Sequence, residues 1–412
     1  MPAERRNAGS KMQVEEMPLE GLRVVEFTHM VMGPTVGLIL ADLGAEVTRV
    51  EPLGGDRTRT LRGSGAGYFP MYNRNKRSVS LDLKDPRGLE LTRRLAARSD
   101  VLIENFRPGV MEGLGLSYES LKIDNPGLIY CSQKGFLAGP YENRTALDEV
   151  AQMMGGLAYM TGPPGRPLRA GASVVDVTGG MFGVIGILAA LEQRHATGMG
   201  QKVTSALFET TAFLVGQHMA QKAVTGQAAR PMPVRVSAWA IYDVFEVGDG
   251  DQVFIGVVSD AQWQSFCAAF GFEELALDVR LRTNRQRVAA REEFLPTVRA
   301  ALGALSKAEL LARLEESGLP FAPISRPEDL FDDPHLIASG GLAPTRLPSG
   351  SLTHLPILPI QLNDERPTQG GMLAAIGEHT REILASLGMP DGDVDALEAA
   401  RVIRPSRGDP LP

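Results

Sequence analysis

The amino-acid sequence predicts an α/β protein with two domains, a large doubly wound parallel sheet of the Rossmann type and a smaller α+β domain. Two observations support this prediction. Between residues 22 and 135, β-branched strand-like segments alternate with segments of helical period, which is typical of parallel strands joined by helices. After Trp239, two strand-like segments follow each other around a GDGD turn, which indicates local antiparallel pairing.

The first strand–helix–strand unit covers residues 22 to 51. The loop Thr28–Gly33 separates its first strand from its helix. Pro34 and Gly44 are predicted to be the first helical residue and the residue after the helix. Open α/β sheets bind ligands at the carboxyl ends of their strands, so we expect this loop to contribute to a site.

The same alternation continues to the end of the large domain's first part. The further predicted strands cover residues 78–83, 101–106 and 128–135, and the further predicted helices cover residues 86–99 and 117–124. Residues 198–221 are strand-like at first and then helical. This order of elements predicts a single parallel sheet with helices between its strands.

The domain boundaries are predicted from changes in this pattern. Residues 1–16 are charged and lack the apolar segment of a signal peptide, so they are expected to be a disordered leader. The predicted boundaries are 17–221 for the first part of the large domain, 222–237 for a linker, 238–330 for the small domain, 331–405 for a return to the large domain and 406–412 for a loose tail. The return is expected because residues 331–405 are too few to fold alone.

Composition and charge narrow the class of function. The chain of 412 residues has a formal net charge of −7 and no long basic run, which argues against nucleic acid or an anionic membrane as the main partner. Cys131 and Cys267 are far apart in apolar segments, so we expect no disulfide, no zinc site and a cytoplasmic location. No uninterrupted run reaches the ~18 apolar residues that a membrane span requires.

Several common catalytic motifs are absent. The sequence has neither GxGxxG nor GxxxxGK[ST], which argues against an ordinary dinucleotide enzyme or a P-loop protein. It has no HExxH and no GxSxG, which argues against metal-dependent and serine hydrolysis. Glu51 ends the second strand, where an acidic residue can hold a ribose, but without the glycines it is predicted to be a solvated strand end.

Basic residues cluster between the second and third strands. The cluster consists of Arg57, Arg59, Arg62, Arg74, Lys76 and Arg77. It is compatible with a solvated loop and with a rim that contacts phosphate groups. Lys84, Asn105 and Lys134 lie at or just after predicted strand ends, which favours the second interpretation.

Asp176 is the candidate catalytic residue. It lies in a strand-like segment, Ser173–Val177, ahead of a predicted break at Gly179 and Gly180 and a buried helix predicted over Met181–Arg194. In one interpretation Asp176 or Thr178 only caps this helix. In the other, the helix N-terminus keeps the Asp176 carboxylate ionised, the glycines let a substrate approach closely, and Asp176 is a nucleophile. The segment alone leaves both interpretations open.

Eight segments carry a family resemblance. They are GLRVVEFTHMVMGP, LADLGAEVTRVEP, NRNKRSVSLDLK, ENFRPGVMEGLGL, YCSQKGF, GASVVDVTGGMFGVIGILAALEQR, GMGQKVTSALFE and GEHTREIL. In this order, over about residues 19–390, the chain resembles the family III CoA-transferases, also called the CaiB/BaiF family. The resemblance implies a Rossmann-like large domain and a small domain in an interlocked homodimer. It also implies a coenzyme A thioester as substrate and no permanently bound cofactor.

The resemblance also implies roles for particular residues. Asp176 is implied to be the nucleophile. His29, Met30 and Val31 are implied to line the acyl pocket, and the implied coenzyme A contacts are Leu81, Lys84, Asn105, Phe106 and Lys134. The expected reaction is transfer of coenzyme A from an acyl-CoA to a free carboxylic acid, through an aspartyl anhydride and an aspartyl-CoA thioester.

The identity of the acid is predicted less directly. Arg57, Arg59 and Arg144 are expected near the pocket and would suit a dicarboxylic acid. The oxalate-specific members of the family carry a run of glycines where this chain has QAARPMPVRVSA. The sequence therefore favours a dicarboxylic acid other than oxalate.

Two alternatives to the transferase remain open at this point. One is an acyl-CoA racemase or isomerase on the same scaffold, but racemases of the family use a His-Asp pair where this chain has Leu147-Asp148. The other is a CoA-binding protein without catalysis, in which Asp176 is only a helix cap.

Overall fold

The computed structural model describes residues 17–235, 237–347, 349–367 and 370–404. The expected leader and tail, residues 1–16 and 406–412, lie outside the described residues. Two compact units make up the chain. The first comprises the residues up to Pro233 and from Pro334 onward, and the second runs from Val234 to Asp333.

The first unit is built on a six-stranded sheet. Its strands are β1 (Arg23–Phe27), β2 (Glu46–Glu51), β3 (Arg77–Ser80), β4 (Val101–Glu104), β5 (Ile129–Lys134) and β6 (Lys202–Ala206). They lie in the order β3-β2-β1-β4-β5-β6, and each neighbouring pair is parallel. The order changes direction between β1 and β4, so the loops after these strands open a crevice at the carboxyl edge. The predicted α/β fold class is confirmed.

The helices before the second unit lie between these strands or follow the last of them. They are α1 (Met32–Asp42), α2 (Tyr68–Tyr72), α3 (Pro86–Ala97), α4 (Val110–Gly113), α5 (Tyr118–Asp124), α6 (Asp148–Met154), α7 (Leu157–Thr161), α8 (Val174–Thr197), α9 (Leu207–Leu214) and α10 (Gly216–Thr225). Helix α1 begins at Met32, so Pro34 is its third residue and not its first as predicted. Gly44 follows the helix with a φ of +104°, which suits glycine. Helix α10 extends into the predicted linker as far as Thr225.

Helix α8 differs most from the sequence prediction. The predicted strand over Ser173–Val177 and the predicted break after it are wrong, because one helix continues through both. Gly179 and Gly180 instead permit close packing against α1. A Cβ atom on Gly180 would lie 2.8 Å from the carbonyl oxygen of Met32. The two glycines therefore set the distance between two helices and do not open a path for substrate.

Helix α8 is a core element of the first unit. Its length and apolar composition would suit a membrane span. In the structure, Val184, Ile187, Ala190 and Leu191 are buried in one apolar cluster with residues of α1 and of strands β1, β2, β4 and β5. Its chain direction opposes that of the strands, so its first turn, with Asp176, lies at the carboxyl edge of the sheet.

The second unit has a three-stranded antiparallel sheet in the order β7-β8-β9. Its elements are β7 (Ile241–Glu246), β8 (Gln252–Val257), α11 (Asp260–Phe270), α12 (Glu273–Leu277), α13 (Asn284–Ala289), α14 (Arg291–Gly303), α15 (Lys307–Ser317) and β9 (Phe321–Pro323). Trp263, Phe266 and Phe294 are buried in its core. The hairpin of β7 and β8 agrees with the antiparallel pairing that the GDGD turn predicts.

The residues from Pro334 onward belong to the first unit. Their elements are α16 (Pro334–Ala338), β10 (Leu342–Arg346), β11 (Leu352–Pro356), α17 (Thr380–Ser386) and α18 (Asp391–Ala399). They join the sheet along β3 and the residues after it. The N–H of His379 donates to the carbonyl oxygen of Ser78 at 3.0 Å, and the N–H of Asp82 donates to that of Val402 at 2.8 Å.

Candidate active site

A cavity of about 330 Å³ opens at the carboxyl edge of the large sheet. It lies between the loops that follow β1, β4 and β5 and the first turn of α8. Six of the predicted site residues line it: His29, Met30, Val31, Asn105, Lys134 and Asp176. The fold therefore brings the predicted nucleophile and the predicted acyl-pocket residues to one place.

Asp148 caps helix α8. Its Oδ2 atom accepts hydrogen bonds from the backbone N–H groups of Val175 and Asp176, at 3.0 and 3.1 Å. Gln152, one turn further along α6, donates to the other oxygen at 2.5 Å. The interpretation of Asp176 as the cap is wrong, because a carboxylate from another helix already accepts these N–H groups.

The Asp176 carboxyl group is half-buried on the wall of the cavity. Burial, and then the nearby Asp148 carboxylate, raise its pKa to about 7, while Arg169 opposes the shift. The expectation that the helix N-terminus keeps Asp176 ionised is therefore wrong, since the first N–H groups bind Asp148. Near neutral pH, Asp176 exchanges between its protonated and its ionised form.

Asn105 holds the loop that follows β1. Its side chain accepts from the N–H of His29 at 2.9 Å and donates to the carbonyl oxygen of the same residue at 2.8 Å. Met30 comes next with a φ of +63°, a left-handed conformation that is unfavourable for a residue with a side chain. Two hydrogen bonds to one residue thus hold a strained turn at the mouth of the cavity.

Phe106 lies beside two residues that line the cavity, His29 and Lys134. The rings of His29 and Phe106 stack with their centroids 5.8 Å apart. Burial lowers the pKa of His29, so its imidazole is neutral near pH 7. The Lys134 ammonium lies 2.8 Å from the Glu104 carboxylate and donates to the carbonyl oxygen of Phe106 at 2.9 Å. This pairing positions Phe106 against His29.

Most of the predicted basic cluster is paired within the first unit. The pairs are Arg59 with Glu51, Arg74 with Asp42, Lys76 with Glu26, and Arg77 with Glu46. Arg57 and Arg62 are exposed. Glu51 is 1% exposed and also accepts from the Ser78 hydroxyl, so the prediction of a solvated strand end is wrong. Of the six basic residues, Arg57 and Arg62 are therefore the two that stay candidates for contact with phosphate groups.

A buried polar network supports the loop from below. Glu26 accepts from Arg49 and from Lys76, each at 2.9 Å. Arg49 also pairs with Asp56 and donates to the carbonyl oxygen of Thr28 at 2.8 Å. Burial lowers the pKa of Lys76 to about 8, and the Glu26 carboxylate opposes the shift. The network links β1, β2 and the start of the loop, and removing one charge would leave another buried without its partner.

The remaining predicted contacts, Phe106 among them, lie outside the cavity lining. Leu81 is 1% exposed in the apolar core beside β3. Lys84 is exposed on the loop that follows β3. Arg144 lies on the outer surface with its guanidinium 5.0 Å from the ring centroid of Tyr141. The contacts of Leu81, Lys84, Asn105, Phe106 and Lys134 with coenzyme A all stay predictions.

The predictions from the sequence do not include the roles of two residues that line the cavity, Asp148 and Arg169. From the sequence, Asp148 is considered only as part of the Leu147-Asp148 pair, and Arg169 is not considered. Arg169 lies seven residues before Asp176, in the segment PLRAG, and an arginine so close to a candidate nucleophile is a signal that sequence analysis can use. No local pattern links Asp148 to a helix that begins 26 residues later, at Val174. Over the part of the chain that the structure describes, no group of three or more His, Cys, Asp or Glu side chains is arranged to hold a metal ion.

Comparison with known proteins agrees with this fold. A family model described as CoA-transferase family III matches residues 19–380. The succinate–glutarate CoA-transferase of Agrobacterium fabrum is 35% identical, over 90% of this chain and 96% of that protein. The succinyl-CoA:glutarate CoA-transferase of Mus musculus is 32% identical, over 94% of this chain and 90% of that protein. The succinyl-CoA–D-citramalate CoA-transferase of Chloroflexus aurantiacus is 33% identical, over 94% and 98%.

Solved structures with the same fold extend the comparison. A CAIB/BAIF family protein from Brucella suis superposes with a TM-score of 0.80 and 36% identity, over 90% of this chain and 99% of that one. A hypothetical protein from Mycobacterium tuberculosis superposes with a TM-score of 0.77 and 28% identity, over 89% and 99%. The similarity thus includes both units of the chain.

Proposed function

We propose that this chain, which belongs to CoA-transferase family III, transfers coenzyme A between a CoA thioester and a free carboxylic acid through a covalent intermediate on Asp176. The observation that carries the proposal is that two aspartates at the start of α8 have different surroundings. Asp148 accepts the helix N–H groups, and the Asp176 carboxyl group lines the cavity beside it. A carboxylate that is not used as a cap is available as a nucleophile.

The proposed reaction proceeds by exchange at the Asp176 carboxyl group. The carboxylate attacks the thioester carbonyl carbon, the carbon–sulfur bond breaks, and a mixed anhydride and a CoA thiolate form. The thiolate then attacks the aspartyl carbonyl carbon, which releases the first acid and leaves an aspartyl-CoA thioester. A second acid reverses these two steps and leaves as its own CoA thioester. The energy of the thioester bond is kept, first in the anhydride and then in the aspartyl-CoA thioester, so no ATP is needed.

The electrostatics of the site favour the first step. The ionised form of Asp176 is disfavoured by burial and by the charge of Asp148, which raise the pKa of Asp176 to about 7. Formation of the anhydride removes that charge and relieves both effects. The neutral His29 and the apolar side chains of Met30 and Val31 surround the same cavity, and the proposal assigns them to the acyl group.

The proposed coenzyme A contacts and the proposed assembly are those that family membership implies. Lys84, Asn105, Phe106, Lys134 and the region of Leu81 contact coenzyme A. The protein is a cytoplasmic, interlocked homodimer without a permanently bound cofactor, nucleic acid or membrane partner. Light scattering of the purified protein tests the dimer, with a monomer as the contrary result.

The acid is proposed to be a dicarboxylic acid. The related proteins of Agrobacterium fabrum and Mus musculus are named for glutarate, and that of Chloroflexus aurantiacus for D-citramalate. The arginines on which the sequence prediction relied do not line the cavity. The support for this substrate class therefore comes from the relatives and from another arginine, Arg169, which does line it.

Racemisation is the less supported alternative. It needs a second base near the α-carbon. Leu147, at the position of the racemase histidine, is 61% exposed, and the neighbouring Asp148 is committed to capping α8. These observations favour acyl transfer over proton exchange.

A transfer assay tests the proposed function. Wild-type protein, succinyl-CoA and glutarate should yield glutaryl-CoA and succinate, detected by mass spectrometry. Asp176→Ala should abolish the product. The matched control is Asp391→Ala, which removes an exposed first-turn aspartate from another helix and should leave the rate unchanged. Equal rates for wild type and Asp176→Ala, or exchange of the α-proton without CoA transfer, would contradict the proposal.

A further inference from the structure

Arg169 is a fixed cation on the wall of the cavity. Its Nε donates to the carbonyl oxygen of Ala170 at 3.1 Å, and its Nη2 donates to that of Ala172 at 3.2 Å. Nη2 also lies 3.4 Å from the Asp148 carboxylate, and Nη1 lies 3.1 Å from the Glu149 carboxylate. One edge of the guanidinium is therefore anchored on the backbone, and Nη1 is directed to Glu149.

The two carboxylate partners of Arg169 differ in how firmly they are held. The Asp148 side chain is 7% exposed and accepts the N–H groups at the start of α8, so it cannot leave without uncapping that helix. The Glu149 side chain is 58% exposed. Exposed ion pairs contribute little to stability, so another carboxylate can replace Glu149 at a small cost in affinity, about fivefold at most.

The other lining cation is less available. The ammonium of Lys134 lies 2.8 Å from Glu104, whose side chain is 2% exposed. It also donates to the carbonyl oxygen of Phe106 at 2.9 Å. An incoming carboxylate would have to break a pair that is mostly buried, which is costly. Arg169 is the better partner for a carboxylate in this cavity.

The spacing between Arg169 and Asp176 suits a short acid. The carboxylate of Asp148 bridges the two, because it lies 3.1 Å from the backbone nitrogen of Asp176 and 3.4 Å from Nη2 of Arg169. The guanidinium is therefore separated from the backbone of Asp176 by little more than one carboxyl group. A chain of a few carbons spans such a distance.

We propose that Arg169 binds the remote carboxylate of a dicarboxylic substrate, and that Glu149 is an internal carboxylate that the substrate displaces. The inference rests on the proposed transferase function. One carboxyl group of the substrate reacts at Asp176 while the other pairs with Arg169, whose planar fork of N–H groups matches a carboxylate. Glu149 competes with the substrate and lowers its apparent affinity.

Two acceptors of equal length test the proposal. Glutarate and pentanoate differ in one carboxylate, and kcat/KM for each is measured with succinyl-CoA as donor. The wild type should prefer glutarate. Glu149→Gln should lower KM for glutarate about two- to fivefold and leave pentanoate unchanged. Arg169→Gln should reduce the preference for glutarate at least about tenfold.

The controls separate this effect from changes in charge or folding. Glu142→Gln removes an exposed carboxylate nearby in sequence that does not line the cavity, and it should change neither acceptor. If Arg169→Gln fails to fold, the exposed Glu149→Gln still decides the question. If Glu149→Gln changes KM equally for both acceptors, or for neither, the inference about Arg169 and Glu149 is overturned and the proposed function is not. A wild-type protein that transfers CoA to neither acid would contradict the proposed function and this inference together.

Discussion

The Asp148 carboxylate accepts the backbone N–H of Asp176 at 3.1 Å, so two aspartates share the N-terminus of one helix. Asp148 uses the hydrogen bonds that this terminus offers, and it is 7% exposed. Asp176 is left with its carboxyl group on the cavity wall and with a raised pKa. In the proposed function, these different environments give the two neighbouring carboxyl groups different tasks, one in positioning and one in reaction.

Removing the charge of Asp148 should change the ionisation of Asp176. Asp148→Asn keeps an acceptor oxygen for the helix but removes the negative charge that raises the pKa of Asp176. The acid limb of the kcat/KM profile should therefore move to lower pH. The free energy of unfolding should fall by about 1 kcal/mol, because a neutral cap interacts less well with the helix terminus. An acid limb that stays in place would show that Asp148 does not set this pKa.

The wild-type enzyme should gain activity as Asp176 ionises. Only the carboxylate attacks a thioester, and the pKa of Asp176 is raised to about 7. We expect kcat/KM for the acyl-CoA to rise with pH through about 7 and then to level off. Initial rates in buffers of constant ionic strength measure this profile. A profile that is flat between about pH 5 and pH 8 would be incompatible with Asp176 as the titrating nucleophile.

The same raised pKa predicts a gain in stability when Asp176 is neutralised. Because the folded pKa lies above the unfolded one, the group's contribution is fully present below the unfolded pKa and is lost as pH rises through about 7. Asp176→Asn should therefore be more stable than wild type at pH 8, by on the order of 2 kcal/mol. The difference should disappear near pH 4. Urea unfolding at both pH values measures it, and a variant less stable than wild type at pH 8 would refute the argument.

Loss of the Asn105 amide should weaken acyl-CoA binding. Asn105→Ala removes both hydrogen bonds to His29 and releases the strained turn at Met30. We expect KM for the acyl-CoA to rise about tenfold and the free energy of unfolding to fall by about 2 kcal/mol. Asn125→Ala is the matched control, because the Asn125 side chain likewise makes two hydrogen bonds to the backbone but does not line the cavity. Equal effects of both variants on KM would show that the role of Asn105 is only structural.

The sequence predicts the alternation of strands and helices because each element carries its own local period. The prediction of a strand over Ser173–Val177 is wrong because it also relies on local pattern alone. The β-branched residues there favour a strand, and the helix cap comes from the distant Asp148. The predictions for Glu51 and Arg59 failed for a similar reason. Neither sequence position reveals that the two side chains form an ion pair at 2.6 Å. The site residues near Asp176 were identified through family resemblance, and local periodicity alone leaves the role of Asp176 open.

The most direct test of the account is to trap an acylated Asp176. Wild-type protein is incubated with succinyl-CoA, treated with hydroxylamine and mapped by peptide mass spectrometry, with a sample lacking succinyl-CoA and the Asp176→Ala variant as controls. We expect a hydroxamate on Asp176 that requires succinyl-CoA and that is absent from the variant. Turnover of succinyl-CoA without any modified aspartate, or a hydroxamate on a different residue, would contradict it.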